Sequence, residues 1–210
     1  MANHAETAVN RALQALLERN DSLALQVKQN DRIIDRFEIE IDDLGIQQLT
    51  KAPLATDLRL VTGSIKIAHN LERIGDEAAK IARRAADLCR EPPLNIQLDV
   101  PSMAKLTIYM LRHALDSFSN RNPEAAREIL PQDKEVDIFN MEIHRVLAQH
   151  MIEHPDTIKR CLHWMVVSKS LERIADHATN IAEEVVYLYA GENIRHTGAK
   201  SRETVTMLSA

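Results

Sequence analysis

At 210 residues, 45% hydrophobic and 27% charged, the chain has enough apolar material for one sizeable core or two small ones, which excludes disorder as the default. Only 3% of residues are aromatic and five are glycine, a composition poor for sandwiches and barrels and good for helices. A net charge of −5, from 26 basic and 31 acidic residues, gives no broad electrostatic footprint for nucleic acid, so no nucleic-acid partner is expected.

The punctuation is helical throughout. Residues 3–19 carry Val9, Leu13, Leu16 and Leu17 at helical spacing, and the run stops at "RND", where Asn20 or Asp21 can cap the next helix. That second helix is predicted from about Ser22 to Thr50, with Ile34, Phe37, Ile41 and Leu44 as its seam, ending before Pro53, which cannot continue it. A third long helix, from about Thr56 to Leu88, places Ile67, Leu71, Ile74, Ala78, Ile81 and Leu88 on one face. The stretch "REPPLNIQLDVPS" then breaks the pattern with three prolines.

Beyond the break the programme repeats. Ser102 is read as the cap of a helix running to about Asn120. Asn122 followed by Pro123 opens one to about Glu153, and Pro155 opens the last, to about Tyr189. Asp31, Asp35 and Glu40 correspond to Asp133, Asp137 and Glu142 (133 − 31 = 102), and Pro53 to Pro155 at the same offset. "LERIGD" at Leu71–Asp76 corresponds to "LERIAD" at Leu171–Asp176 at an offset of 100. An internally duplicated unit joined by short connections implies an all-α fold of two tandem antiparallel three-helix bundles, over residues 1–92 and 99–191, with a mobile tail at 192–210. Pro131 has no counterpart in the first half and predicts a kink just ahead of Asp133.

Cys89 and Cys161 stand in separate halves and make neither a disulfide framework nor a CxxC site, which reads as reduced thiols in a cytosol. The opening "MANHAETAVNRALQALLER" lacks the apolar stretch of a signal peptide, and no later segment approaches the roughly 20 apolar residues of a membrane span. A cytoplasmic chain is expected, reaching a membrane only through partners.

Residues four apart share a helix face, so Asp31/Asp35 and Glu72/Asp76 each form a ledge of two carboxylates whose repulsion something should offset. On antiparallel neighbouring helices these ledges can face each other and gather hard oxygen ligands suited to iron, Mn²⁺, Mg²⁺ or Ca²⁺, with Zn²⁺ possible. Asp133, Asp137, Glu172 and Asp176 would repeat the arrangement. Against it stands an ordinary solvated acidic face neutralised by Arg73 and Arg173. The recurrence of both pairs, while neighbours drifted (Asp42 to His144, Lys66 to Ser168), sets the metal level with a duplicated salt-bridge face. His150 and His154 lack a third ligand and read as a surface pair, His69 as a packing or bundle-edge residue, and His177 as lying on another flank. No Glu-x-x-His pair, P-loop, dinucleotide fingerprint or G-x-S-x-G elbow is present, so no enzyme is indicated.

The segments "DLRLVTGSIKIAHNLERIGDEAAKIA" and "MVVSKSLERIADHATNIAEEVVYLYAGENIRH" resemble the two repeats of the PhoU family of bacterial phosphate-uptake regulators, and the similarity covers nearly the whole chain. The family's E(D)-x-x-x-D motifs match Asp31/Asp35, Glu72/Asp76, Asp133/Asp137 and Glu172/Asp176. The resemblance implies metal clusters on the bundle surfaces and a homodimeric cytoplasmic regulator. It also implies a link between the phosphate ABC transporter ATPase and a sensor histidine kinase that restrains the phosphate-starvation response. The alternative is a metal-independent helical scaffold whose acidic faces bind basic partner surfaces. Three departures stand out: a first helix shorter than is usual in the family, Asn70 where an aspartate often stands, and Ala175 in place of the second glycine.

Overall fold

The computed structural model describes residues 1–51 and 54–195. Its helices are α1 (Ala2–Leu17), α2 (Asp21–Leu49), α3 (Ala55–Cys89), α4 (Val100–Ser119), α5 (Pro123–Arg127), α6 (Asp133–Glu153) and α7 (Ile158–Ala190). This is the six-helix plan of two tandem three-helix bundles, with the fifth helix of the plan broken into α5 and α6. Pro131 accounts for the break. It has no N–H to donate and its ring clashes with the carbonyl four residues back, so the chain makes a 3₁₀ turn over Leu130–Gln132 and restarts at Asp133. The predicted kink is thus a full interruption. Pro53 and the tail from residue 196 lie outside the described residues.

Both halves use one turn between their first two helices. Arg19 (φ 52°) and Arg121 (φ 53°) sit in the left-handed region, and the next amide bonds back to the first helix, Asn20 N–H to Ala15 O at 2.8 Å and Asn122 N–H to Ser117 O at 2.9 Å. A non-glycine residue there costs about 1–2 kcal/mol. The asparagine that follows offsets part of it by capping: Asn20 Oδ1 accepts from Leu23 N–H, and Asn122 Oδ1 from Glu124 and Ala125 N–H. The expected cap at Ser102 is not used. α4 begins at Val100 with Pro101 in its first turn, whose fixed φ suits the helix start, and Asp99 precedes it without a side-chain cap.

The predicted α3 face, Ile67, Leu71, Ile74, Ala78, Ile81 and Leu88, is buried throughout. Of the predicted α2 seam only Ile34 is buried: Phe37 and Ile41 are half-buried and Leu44 is 56% exposed, with Gly45 the buried residue beside it, while on α1 the predicted Leu17 is 53% exposed. Near that end α2 packs on α3 through Gly45, which lies against Ile65 and Val61.

α3 and α7 form an antiparallel spine between the halves. Lys66 meets Glu184, Asn70 meets His177, Glu77 meets Arg173 and Arg84 meets His163. At one end the helices come so close that a Cβ on Gly63 would lie 2.5 Å from Leu188 Cδ2, which is why no side chain fits there. Buried residues from both halves form one continuous apolar cluster around this spine. Arg19 ties down the proline-rich connection by donating to Leu88 O at 2.6 Å and to Glu91 O, while Lys159 pairs with Glu91 at 2.6 Å.

Candidate metal centre

α2 and α3 run antiparallel, which brings their acidic ledges to one seam. Gly75 permits it: a Cβ there would stand 2.9 Å from Ile34 Cδ1 and 3.4 Å from Asp31 Oδ1, so Asp31 lies directly against the α3 backbone. Asp31 is pushed up to about 6 from an ordinary 3.8, chiefly by burial and then by the charges of Asp35 and Asp76, with Arg83 and Lys80 pulling the other way. Glu72 is raised by burial and then by Asp76, with Glu38 adding to the rise and Arg73 opposing it. Across the helix seam Asp76 therefore acts on Asp31, and Glu38 on Glu72.

The second half repeats this on α6 and α7. Asp176 is pushed up to about 7, first by burial and then by Glu172, Asp133 and Asp137. Asp133 is raised by burial and Asp137, and Thr179 Oγ1 donates to it at 3.3 Å across the seam. The alanine at 175 is accommodated by its partner: where Gly75 faces Ile34, the corresponding residue on α6 is Val136, one carbon shorter, and both Val136 and Ala175 are fully buried. The methyl gained on α7 is matched by the one lost on α6.

The donor set fits a hard cation. Glu72 Oε2 and Glu172 Oε2 are enclosed atoms with no hydrogen-bond partner, at equivalent positions of the repeat. Arg73 Nε stands 3.2 Å from Glu72 Oε2 but out of alignment for a hydrogen bond, and Arg73 also lies 3.5 Å from Asp76. Leaving a buried carboxylate oxygen unsatisfied costs more than an ordinary hydrogen bond contributes, and like charges held together add to the cost. Oxygen ligands of this kind take Mg²⁺, Mn²⁺, iron or Ca²⁺.

Two residues that the sequence reading did not assign to the cluster stand at its edge. Glu38, His69 and Glu72 offer ligand atoms all within 4.8 Å of one another, the tightest such group among the described residues. Glu38 lies seven residues after Asp31, on the same helix face, and His69 three before Glu72; these spacings were the available signal. Asn70 Oδ1 faces His177 Nδ1 at 2.9 Å, so the residue in place of the missing aspartate is an α7 contact in this chain. His150 and His154 stack at 4.6 Å between ring centroids at the end of α6.

Fold and site together define an internally duplicated helical protein that carries a carboxylate seam in each half. The PhoU domain signature matches residues 1–85 and again 100–185. The chain is 40% identical over 203 residues to the phosphate-specific transport system accessory protein PhoU homolog of Pseudomonas putida, covering 95% of this chain and 79% of that one. It superposes on the crystal structure of PhoU from Pseudomonas aeruginosa with a TM-score of 0.89 at 39% identity, covering 91% of this chain and 93% of that one. For the phosphate transport system regulatory protein PhoU of Streptococcus pneumoniae the TM-score is 0.86 at 26% identity, with 92% and 91% covered. The chain belongs to the PhoU family, and membership places it among non-catalytic regulators of phosphate homeostasis. Among the described residues no helix is long and apolar enough to cross a membrane.

Proposed function

We propose that this chain is a cytoplasmic, metal-binding adaptor that negatively controls the phosphate-starvation response by linking the phosphate ABC transporter to its sensor histidine kinase. Membership of the family supports the phosphate role. The observation that carries the metal is the repeated, electrostatically strained carboxylate seam: Asp31, Asp35, Glu72 and Asp76 in one half, Asp133, Asp137, Glu172 and Asp176 in the other. These residues would hold the ions. A bound divalent or iron-type cation supplies positive charge on a surface that otherwise repels phosphate and acidic partner groups. The chain's own part is to fix the two helices of each seam together and to keep the enclosed Glu72 and Glu172 oxygens directed at the cation. The exposed Ile39, Leu44, Ile46, Leu58 and Leu60 on α2 and α3 suit a partner surface or a second copy of the chain.

A second reading is favoured by one observation. Lys169 Nζ lies 2.6 Å from Glu172 Oε1 and Arg73 sits beside Glu72 and Asp76, so internal cations already neutralise part of each seam. That suits a metal-independent scaffold. Elemental analysis of protein purified without chelator, followed by capture of the kinase and the transporter ATPase with and without chelator, separates the two. Stoichiometric metal and chelator-sensitive capture support the adaptor; metal-free protein with unchanged capture supports the scaffold.

A further inference from the structure

Beside the first four-acid seam, and sharing its Glu72, the first half carries a ligand set of different chemistry. His69 Nδ1 and Glu38 Oε1 are 3.0 Å apart, and Glu72 completes a group within 4.8 Å. A histidine–glutamate hydrogen bond would account for two of these residues, but it does not explain why Glu72 converges on the same point, its enclosed Oε2 accepting no hydrogen bond and facing Arg73 Nε at 3.2 Å out of alignment. Glu38 and His69 also line a cleft of about 440 Å³ between α2, α3 and α7. The same cleft is bounded by Asp42, Glu183 and Glu184, so four carboxylates face Lys66 and Arg195 and the local field favours cations. Glu184 is only 5% exposed and adds a second independent sign: its Oε1 holds Lys66 and Arg195, each at 3.3 Å, while its Oε2 is enclosed with no donor.

We propose that Glu38, His69 and Glu72 form a separate site for a divalent transition metal of the Zn²⁺ type, at the mouth of this acidic cleft. One imidazole nitrogen with two carboxylates suits Zn²⁺ and Co²⁺ and disfavours Mg²⁺ and Ca²⁺, which prefer all-oxygen shells. The site shares Glu72 with the carboxylate seam, and to that extent rests on the reading above, but it does not need the seam to be loaded. It belongs to the first half alone. The corresponding residues of the second half are Asn140, which accepts from Ser168 at 2.6 Å, and Lys169, which brings its own positive charge to Glu172.

The test uses the full chain, stripped with chelator and titrated with Zn²⁺ by calorimetry, with Co²⁺ by visible absorption and, in parallel, with Mn²⁺. His69→Gln and Glu38→Gln are the variants, because both side chains are surface-accessible and neither is part of the core. The expected result is that each variant loses one Zn²⁺ equivalent per chain and the cobalt absorption of a nitrogen-containing site, with Mn²⁺ uptake unchanged. Full Zn²⁺ stoichiometry and an unaltered cobalt spectrum in both variants would overturn the proposal and leave His69–Glu38 as an ion pair. A wild-type chain that takes no Mn²⁺ yet loses Zn²⁺ on His69→Gln would support this site while removing the four-acid reading, so the two fail separately.

Discussion

In the first half Arg73 lies beside Glu72 and Asp76; in the second, Arg173 leaves its own seam for Glu77, 3.2 Å away across the spine, and Lys169 takes over Glu172. Around the seams the exchange continues: Gly75 and Ile34 become Ala175 and Val136, and Glu38 and His69 become Asn140 and Lys169. The eight acids are matched while their counter-charges and packing are re-solved in each half. Duplication therefore holds what a cation would need and lets the rest of each surface find its own answer.

The largest expected effect tests whether the seams are equivalent. With Mn²⁺ at about a hundred times its dissociation constant, each loaded seam should stabilise the chain by about 3 kcal/mol. Asp31→Asn with Asp76→Asn, or Asp133→Asn with Asp176→Asn, should each remove one such increment from the thermal melt. If only one pair does so, the halves are functionally unlike.

A pH titration of the chelated protein comes next. Asp31 and Asp176 keep their protons to about pH 6 and 7 when folded but release them near 3.8 when unfolded. The folded chain thus binds more protons across this window, so their contribution is full below about pH 4, falls as pH rises, and is gone above about 7. His163 and His177, pushed down by burial, act in the opposite sense below 6.5. The readout is therefore the difference between wild type and Asp31→Asn with Asp176→Asn, which should be more stable than wild type at pH 8 and converge with it at pH 4 to 5.

Gly75→Ala sharpens the packing contrast. Crowding Ile34 should cost about 1–3 kcal/mol, against about 1 kcal/mol gained from helix propensity. In an Ile34→Val background the crowding should vanish and the same change should become stabilising. Urea unfolding of the double-mutant cycle reads this coupling, and additive single effects would refute the compensation. The smallest effect belongs to Lys169→Met. A half-exposed ion pair contributes less than about 1 kcal/mol, so removing this competitor should tighten Mn²⁺ at the second seam about two- to five-fold by calorimetry.

The helical plan was legible because prolines and asparagine caps punctuate it and because α3 writes its buried face at regular spacing. Leu17 and Leu44 escaped for a different reason. Both lie on helix faces that stay largely exposed, and periodicity within one helix does not report which of its faces a neighbour covers. The same limit explains the site. Asp31 and Asp35 show on one helix, but the approach of His69 to Glu38 is a property of two helices and their register. Asn70 shows the converse: similarity to relatives suggested a lost ligand, whereas its side chain serves the contact with α7.

The spine has a consequence for how this molecule could be taken apart. Glu77 is 4% exposed because Arg173 from the other half covers it, and Gly63 is open only to receive Leu188. A gene cut in the proline-rich connection would yield fragments whose longest helix each lacks its opposite wall. Such halves should be insoluble singly yet reassemble when co-expressed, behaving as a split protein whose reunion reports that both were made.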